Sequence, residues 1–125
     1  MKHDTRTPMQ HIGDAGEAAA LAFLQQQGYE LVARNFHSRY GEIDLIVKNT
    51  EELVFVEVKT RRDTALSRPA SFVDQRKQQK LIKTALVFLG ENPPDLQPRF
   101  DVIEVINSPG GVRVEHLKNA FWAET

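Results

Sequence analysis

Asp44 sits among aliphatic residues in "GEIDLIV", and Glu57 and Lys59 sit among valines in "LVFVEVKTRR". Carboxylates with a neighbouring lysine are what metal-assisted hydrolysis needs: oxygen ligands for a hard cation and positive charge for a reacting anion. Both segments read as strands joined by a short turn near Asn49 to Glu52. Centring that turn between Thr50 and Glu51 makes the numbers of opposed residues sum to 101. Asp44 then faces Glu57, and Glu42 faces Lys59. Glu57 and Lys59, two apart on one strand, share that face. The same register gathers Ile43, Leu45, Val47, Val54, Val56 and Val58 on the opposite face, as a one-sided core requires.

The charges therefore converge. Two carboxylates about 5 Å apart repel by about 3 kcal/mol at an effective dielectric of about 20. A divalent cation held between them offsets this, and oxygen ligands suit Mg2+ or Mn2+. The Lys59 ammonium, or a proton retained on one acid, would also do so. The plainer alternative is a solvated strand with cross-strand pairs, Glu42 to Lys59 and Glu57 to Lys48 or Arg61. Phe55 and Ile46 count against it, because they fall on the acid-bearing face and imply a partly covered surface. Glu17 lies in an alanine-rich run, with Gly13, Ala20, Leu21 and Leu24 at helical spacing around it. That places it on a cleft-facing stripe or, alternatively, in an exposed first turn favoured by the helix dipole.

The elements that must position these residues follow from periodicity and punctuation. A helix is predicted from about Gly13 to Gln27, stopped by Gly28, with residues 1–11 as a loose tail. "YELVARNF" (29–36) is the first strand, followed by the two strands of the hairpin. Residues 61–70 read as a flexible loop. A second helix over 71–90, capped at Ser71 or Asp74, carries Leu81, Ile82, Ala85, Leu86, Phe88 and Leu89. "RFDVIEVI" (99–106) and "VRVEHL" (112–117) are the last strands, joined by "NSPGG". The sum is one α/β domain over residues 1–125: a central mixed five-stranded sheet flanked by helices.

Bulk composition narrows the chemistry. The absence of cysteine excludes disulfides, thiolate zinc sites and cysteine nucleophiles. No apolar run approaches a membrane span, so a cytoplasmic protein is expected. The net charge is −1, yet between Lys59 and Lys83 eight basic residues stand against Asp63 and Asp74 alone. Such a stretch is either an electrostatic footprint for phosphates or a solvated helix face. Arg61 and Arg62 belong to it, and Arg34 and Arg39, with Asn35 and Tyr40, flank the hairpin, either as further phosphate contacts or as plain surface residues. The four histidines have no metal-ligand spacing, and Asp101 is expected to pair with Arg99 or Arg34. Phe121 and Trp122 pack at the core's edge or, in a homodimer, at an interface.

An acid on a helix, an aspartate on a strand and Glu-Val-Lys on the next resembles the PD-(D/E)xK nuclease pattern. The strings "GDAGEAAALAFLQQQGYELVARNFHSRYGEIDLIV", "LVFVEVKTRR" and "RFDVIEV" resemble the YraN family of bacterial proteins, itself similar to archaeal Holliday junction resolvases. The resemblance runs from about Gly13 to Val105, with Ile43-Asp44 in place of the pattern's Pro-Asp. It implies a restriction-endonuclease-like core and a metal-dependent endonuclease acting on structured or branched DNA. By position, Asp44 and Glu57 would be metal ligands with the Val58 carbonyl, and Lys59 would orient or help deprotonate water. Glu17 would be an accessory ligand or water-positioner, and Lys77 would meet DNA phosphate. The competing expectations are a catalytically silent binding or scaffold module that retains the fold, and a structural domain whose acids make only salt bridges.

Overall fold

The computed structural model describes residues 7–63, 73–91 and 95–121, with the backbone alone for 8–12. The elements run α1 (Pro8–Gln26), β1 (Glu30–Ser38), β2 (Gly41–Lys48), β3 (Glu52–Arg62), α2 (Gln75–Glu91), β4 (Gln97–Ser108) and β5 (Gly111–Phe121). The fold is a mixed α/β sandwich whose five strands lie in sequence order, all antiparallel except the β3–β4 pair. A parallel pair needs a long crossover, and α2 is part of it.

Each helix covers one face. Ala20 and Leu24 of α1 join Leu45, Val47, Val54, Val56, Ile103 and Val105 in one buried cluster. Leu81, Ile82, Ala85 and Phe88 of α2 join Ile46, Leu53, Phe55 and Phe100 in another. Strands β3 and β4 are buried on both sides, which is why their apolar runs are nearly continuous. Helix α1 ends in a Schellman turn: Gly28 has φ 94°, its N–H donates to the Gln25 carbonyl, and the Tyr29 N–H donates to Leu24. At Gly16 the helix comes so close to β3 that an added Cβ would meet the Thr60 hydroxyl.

Several expectations are corrected. Helix α1 begins at Pro8, not Gly13: Thr7-Pro8 is an N-cap residue followed by a proline suited to the first helical position. Residues 8–11 are therefore helical rather than a loose tail, and residues 1–6 lie outside those described. Strand β3 continues to Arg62, two residues into the expected 61–70 loop, because β4 pairs with it as far as Asn107. The rest of that loop, and Ser71, lie outside the described residues, and Asp74 caps α2 by accepting the Lys77 N–H at 2.8 Å. Leu86 is 60% exposed, lying off the stripe set by Leu81, Ala85 and Phe88. Phe121 is buried and stacks on Phe100 at 4.9 Å, so it serves the core rather than an interface; Trp122 lies outside the described residues. Among the described residues no helix is long and apolar enough to cross a membrane.

Candidate metal centre

The hairpin register is the one expected, with Leu45 opposite Val56 and Lys48 opposite Leu53, but the paired residues go no further than Leu45–Val56. Beyond that point the Asp44 carboxylate takes up the backbone, its Oδ2 accepting the Val58 N–H at 2.8 Å. Alternation also breaks there. Ile43, expected beside Leu45 and Val47, instead joins the cluster under α2. On β1 the register to β2 passes from Arg34–Leu45 to Phe36–Ile43, skipping Asn35 and Asp44, and Asn35 is left-handed at φ 51°. A left-handed residue rotates the chain, so the strand changes which side chains it sends to which face. Glu42 and Asp44 lie on the side of α1.

Glu17 of α1 meets them. Glu17, Glu42 and Asp44 each offer a carboxylate oxygen, and these lie within 4.8 Å of one another. With its amide oriented to suit its neighbours, Asn35 donates to Glu17 Oε1 at 3.2 Å and Glu42 Oε1 at 2.9 Å. Arg34 Nη2 lies 3.8 Å from Glu17 Oε2, and His37 Nδ1 lies 3.6 Å from Glu42 Oε2. Glu57 approaches from β3 on the α2 side, close enough to Asp44 for the two charges to repel and 3.5 Å from the Lys77 ammonium.

Electrostatics follow the crowding. Burial pushes Glu57 up to about 7, helped by the adjacent Asp44 charge and opposed by Lys77 and Lys59. Burial also raises Asp44, although the Val58 N–H opposes it, and Glu42 raises it further. Glu17 is raised by burial and then by Asp44, with Arg34 pulling the other way. Burial and mutual repulsion thus let both Glu57 and Asp44 hold a proton more readily than free carboxyls do.

The expected residues meet in part. Glu17, Asp44 and Glu57 converge, Lys59 acts on Glu57 through its charge, and Lys77 pairs with Glu57 directly. Glu42, which the hairpin arithmetic set opposite Lys59, belongs instead to the acid cluster, and Asn35 orients it there. The Glu-Ile-Asp spacing was the available signal for Glu42, since residues two apart share a face. Arg61, expected among the phosphate contacts, donates its Nε to Glu104, an acid 1% exposed that sequence reasoning passed over. Arg62 lies exposed at the end of β3, and Arg39 sits on Tyr40, beside α2. Asp101 pairs with Arg99 as expected, in two bonds of 2.8 and 2.7 Å, and also with His116 at 2.6 Å. That histidine, to which the sequence assigned no chemistry, is structural.

Three oxygens bound to one cation at about 2.0–2.6 Å can stand at most about 5 Å apart, so the Glu17–Glu42–Asp44 spacing fits a hard divalent ion. Residues 16–105 match the model of a family described as "Uncharacterised protein family UPF0102". The chain is 42% identical over 114 residues to a UPF0102 protein of Caldanaerobacter subterraneus, covering 88% of this chain and 93% of the relative. It is 46% identical over 116 residues to one from Symbiobacterium thermophilum, covering 90% and 97%. A UPF0102 protein of Geotalea uraniireducens is 37% identical over 97% of both chains.

Proposed function

The chain belongs to the uncharacterised protein family UPF0102, and on that premise we propose that it is a metal-dependent endonuclease with a restriction-endonuclease-like core, hydrolysing phosphodiester bonds in structured or branched DNA. One observation carries the reading: where the β2–β3 ladder ends, four acids from three elements gather beside two lysines. Glu17, Glu42 and Asp44 would hold Mg2+ or Mn2+, with Glu57 alongside and the Val58 carbonyl as a further oxygen. Bound there, such a cation polarises a phosphoryl oxygen and lowers the pKa of water.

The chain's own groups supply the rest. Glu57, pushed up to about 7, exchanges a proton near neutrality and suits the deprotonation of an attacking water. Hydrolysis breaks the bond from phosphorus to the leaving oxygen, which takes up a proton as the water loses one. Lys59 and Lys77 bring positive charge to the oxygens on which negative charge grows. Asn35 fixes Glu17 and Glu42, and the Val58 N–H fixes Asp44, so the ligands need not reorganise.

The direct test is cleavage of four-way junction, flap, single-stranded and duplex DNA with Mn2+, comparing wild type with Glu57→Ala and Lys59→Ala. Cleavage by wild type alone is expected; cleavage unchanged by both substitutions sinks the assignment.

A further inference from the structure

A second charged feature lies away from the acids. The β1–β2 turn is pinned to α2 by Ser38 Oγ, 2.9 Å from the Oγ1 of the fully buried Thr84. Ser38 Oγ also accepts the Tyr40 N–H at 3.0 Å, which ties the turn to the same anchor. Arg39 and Tyr40 are thereby held against α2, enclosing a cleft of about 610 Å3 with Arg76, Gln79, Lys80 and Lys83. The guanidinium of Arg39 donates to the Tyr40 hydroxyl at 2.6 Å and lies 4.8 Å from its ring centroid; Lys83 Nζ lies 5.6 Å from it.

Among the described residues, four cations line this cleft and no carboxylate does. Among the described residues, Arg76, Lys80 and Lys83 form no ion pair. Like charges gathered without a counter-charge attract anions. The stripe Arg76, Lys80, Lys83 has helical spacing i, i+4, i+7 and spans about 10 Å, about the axial rise of three phosphates of one strand. A lone phosphate leaves most of that stripe unused. Lys77, next to Arg76, faces Glu57 at the acid cluster, so the stripe continues from that centre.

We propose that the cleft between the β1–β2 turn and α2 is a second site for a nucleic-acid phosphodiester backbone, holding the strand at several phosphates beyond the one at the acid cluster. It rests on the nuclease reading only for its continuity with that cluster.

The test is fluorescence anisotropy of a labelled short duplex DNA in EDTA, over about 50–200 mM salt. Wild type is compared with the Arg76→Ala/Lys80→Ala/Lys83→Ala triple variant and with Lys80→Arg. In the triple variant affinity falls at least about tenfold and the log–log salt slope shrinks by about 2–3, one contact per lost cation. Lys80→Arg keeps the slope. A triple variant that binds with unchanged slope overturns the site, as does a wild type that does not bind. Tighter binding of tripolyphosphate than of the duplex also overturns it, by reassigning the cleft to a free polyphosphate. Slope loss without any Mn2+-dependent cleavage by wild type leaves the cleft standing and removes the nuclease. Cleavage by wild type and triple variant alike does the reverse.

Discussion

The Asp44 Oδ2 accepts the Val58 N–H at 2.8 Å, beyond the last paired residues of the β2–β3 hairpin. One side chain thus stands in for the missing ladder bond while lying beside the acids of α1 and β2. Separating those two duties is informative. Asp44→Asn keeps an oxygen for Val58 but loses the charge, so its thermal midpoint stays near or above wild type as repulsion from Glu42 and Glu17 is relieved. Asp44→Ala leaves the Val58 N–H unpartnered and costs about 1–3 kcal/mol. Both lose at least about 100-fold in Mn2+-dependent cleavage. Equal thermal midpoints for the two variants would show that the Val58 bond contributes nothing.

Metal should act as a stabilising ligand. A cation binding only the folded state at 100 times its Kd stabilises by about 2.7 kcal/mol. Thermal unfolding with millimolar Mn2+ is expected to rise for wild type and to lose that rise in Glu42→Gln and Asp44→Asn. No rise in wild type, together with no heat in calorimetric titration, argues against the site.

The acids also set a pH dependence whose sign is fixed. Glu57 binds its proton more tightly folded, at about 7, than unfolded, where 4.5 is ordinary. A folded state that holds more protons loses stability as pH rises, here between about 4.5 and 7. Glu57 alone contributes on the order of 3 kcal/mol, and Asp44 and Glu17 move in the same direction. Denaturation in EDTA across that window should show falling stability, flattened in Glu57→Gln. Stabilisation by Mn2+ should grow over the same window, because ligation requires the carboxylates ionised. A variant that keeps the full wild-type slope would place the proton elsewhere.

Asn35 is the hinge of the kink. Its φ of 51° costs most side chains about 1–2 kcal/mol. Asn35→Gly relieves the backbone but removes the amide that holds Glu17 and Glu42, so it should fold well and bind Mn2+ more weakly. Asn35→Ala should lose both stability and metal affinity. Unchanged affinity in Asn35→Gly would remove the amide's ligand-orienting role.

Why the hairpin was legible and the kink was not has a physical basis. Turn centring and alternation constrain register strongly wherever the two faces differ in polarity, so the Leu45–Val56 and Lys48–Leu53 pairs could be read from residue types. A left-handed residue leaves no periodic trace, and Asn35 looked like any polar residue in a strand. Its consequences were therefore misplaced: Ile43 on the wrong face and Glu42 assigned to Lys59. Glu104 was missed because a buried acid inside "VIEVI" reads as an alternating polar position, and its partner Arg61 was read only as part of the basic stretch. The Asp101–Arg99 pairing was legible because two opposite charges two apart share a strand face.

That buried pair gives a prediction that separates fold from site. Arg99 reaches Asp101, Tyr29 and Glu52, while His116 and the Asn119 N–H complete the Asp101 carboxylate. Burial alone would raise Asp101, but hydrogen bonds from His116, Arg99 and Asn119 outweigh it and hold it below the usual carboxylate range. Its stabilisation is therefore present above the ordinary aspartate range and lost as pH falls through the lowered value. Asp101→Ala removes the two-bond partner of the buried Arg99 guanidinium, leaving it Glu52 and Tyr29, and should cost about 1–3 kcal/mol. His116→Ala removes one partner and should cost less. Neither touches the acid cluster, so cleavage per folded molecule at low temperature should match wild type in both. A loss of cleavage in His116→Ala at full folding would join this network to the metal centre and overturn its purely structural role.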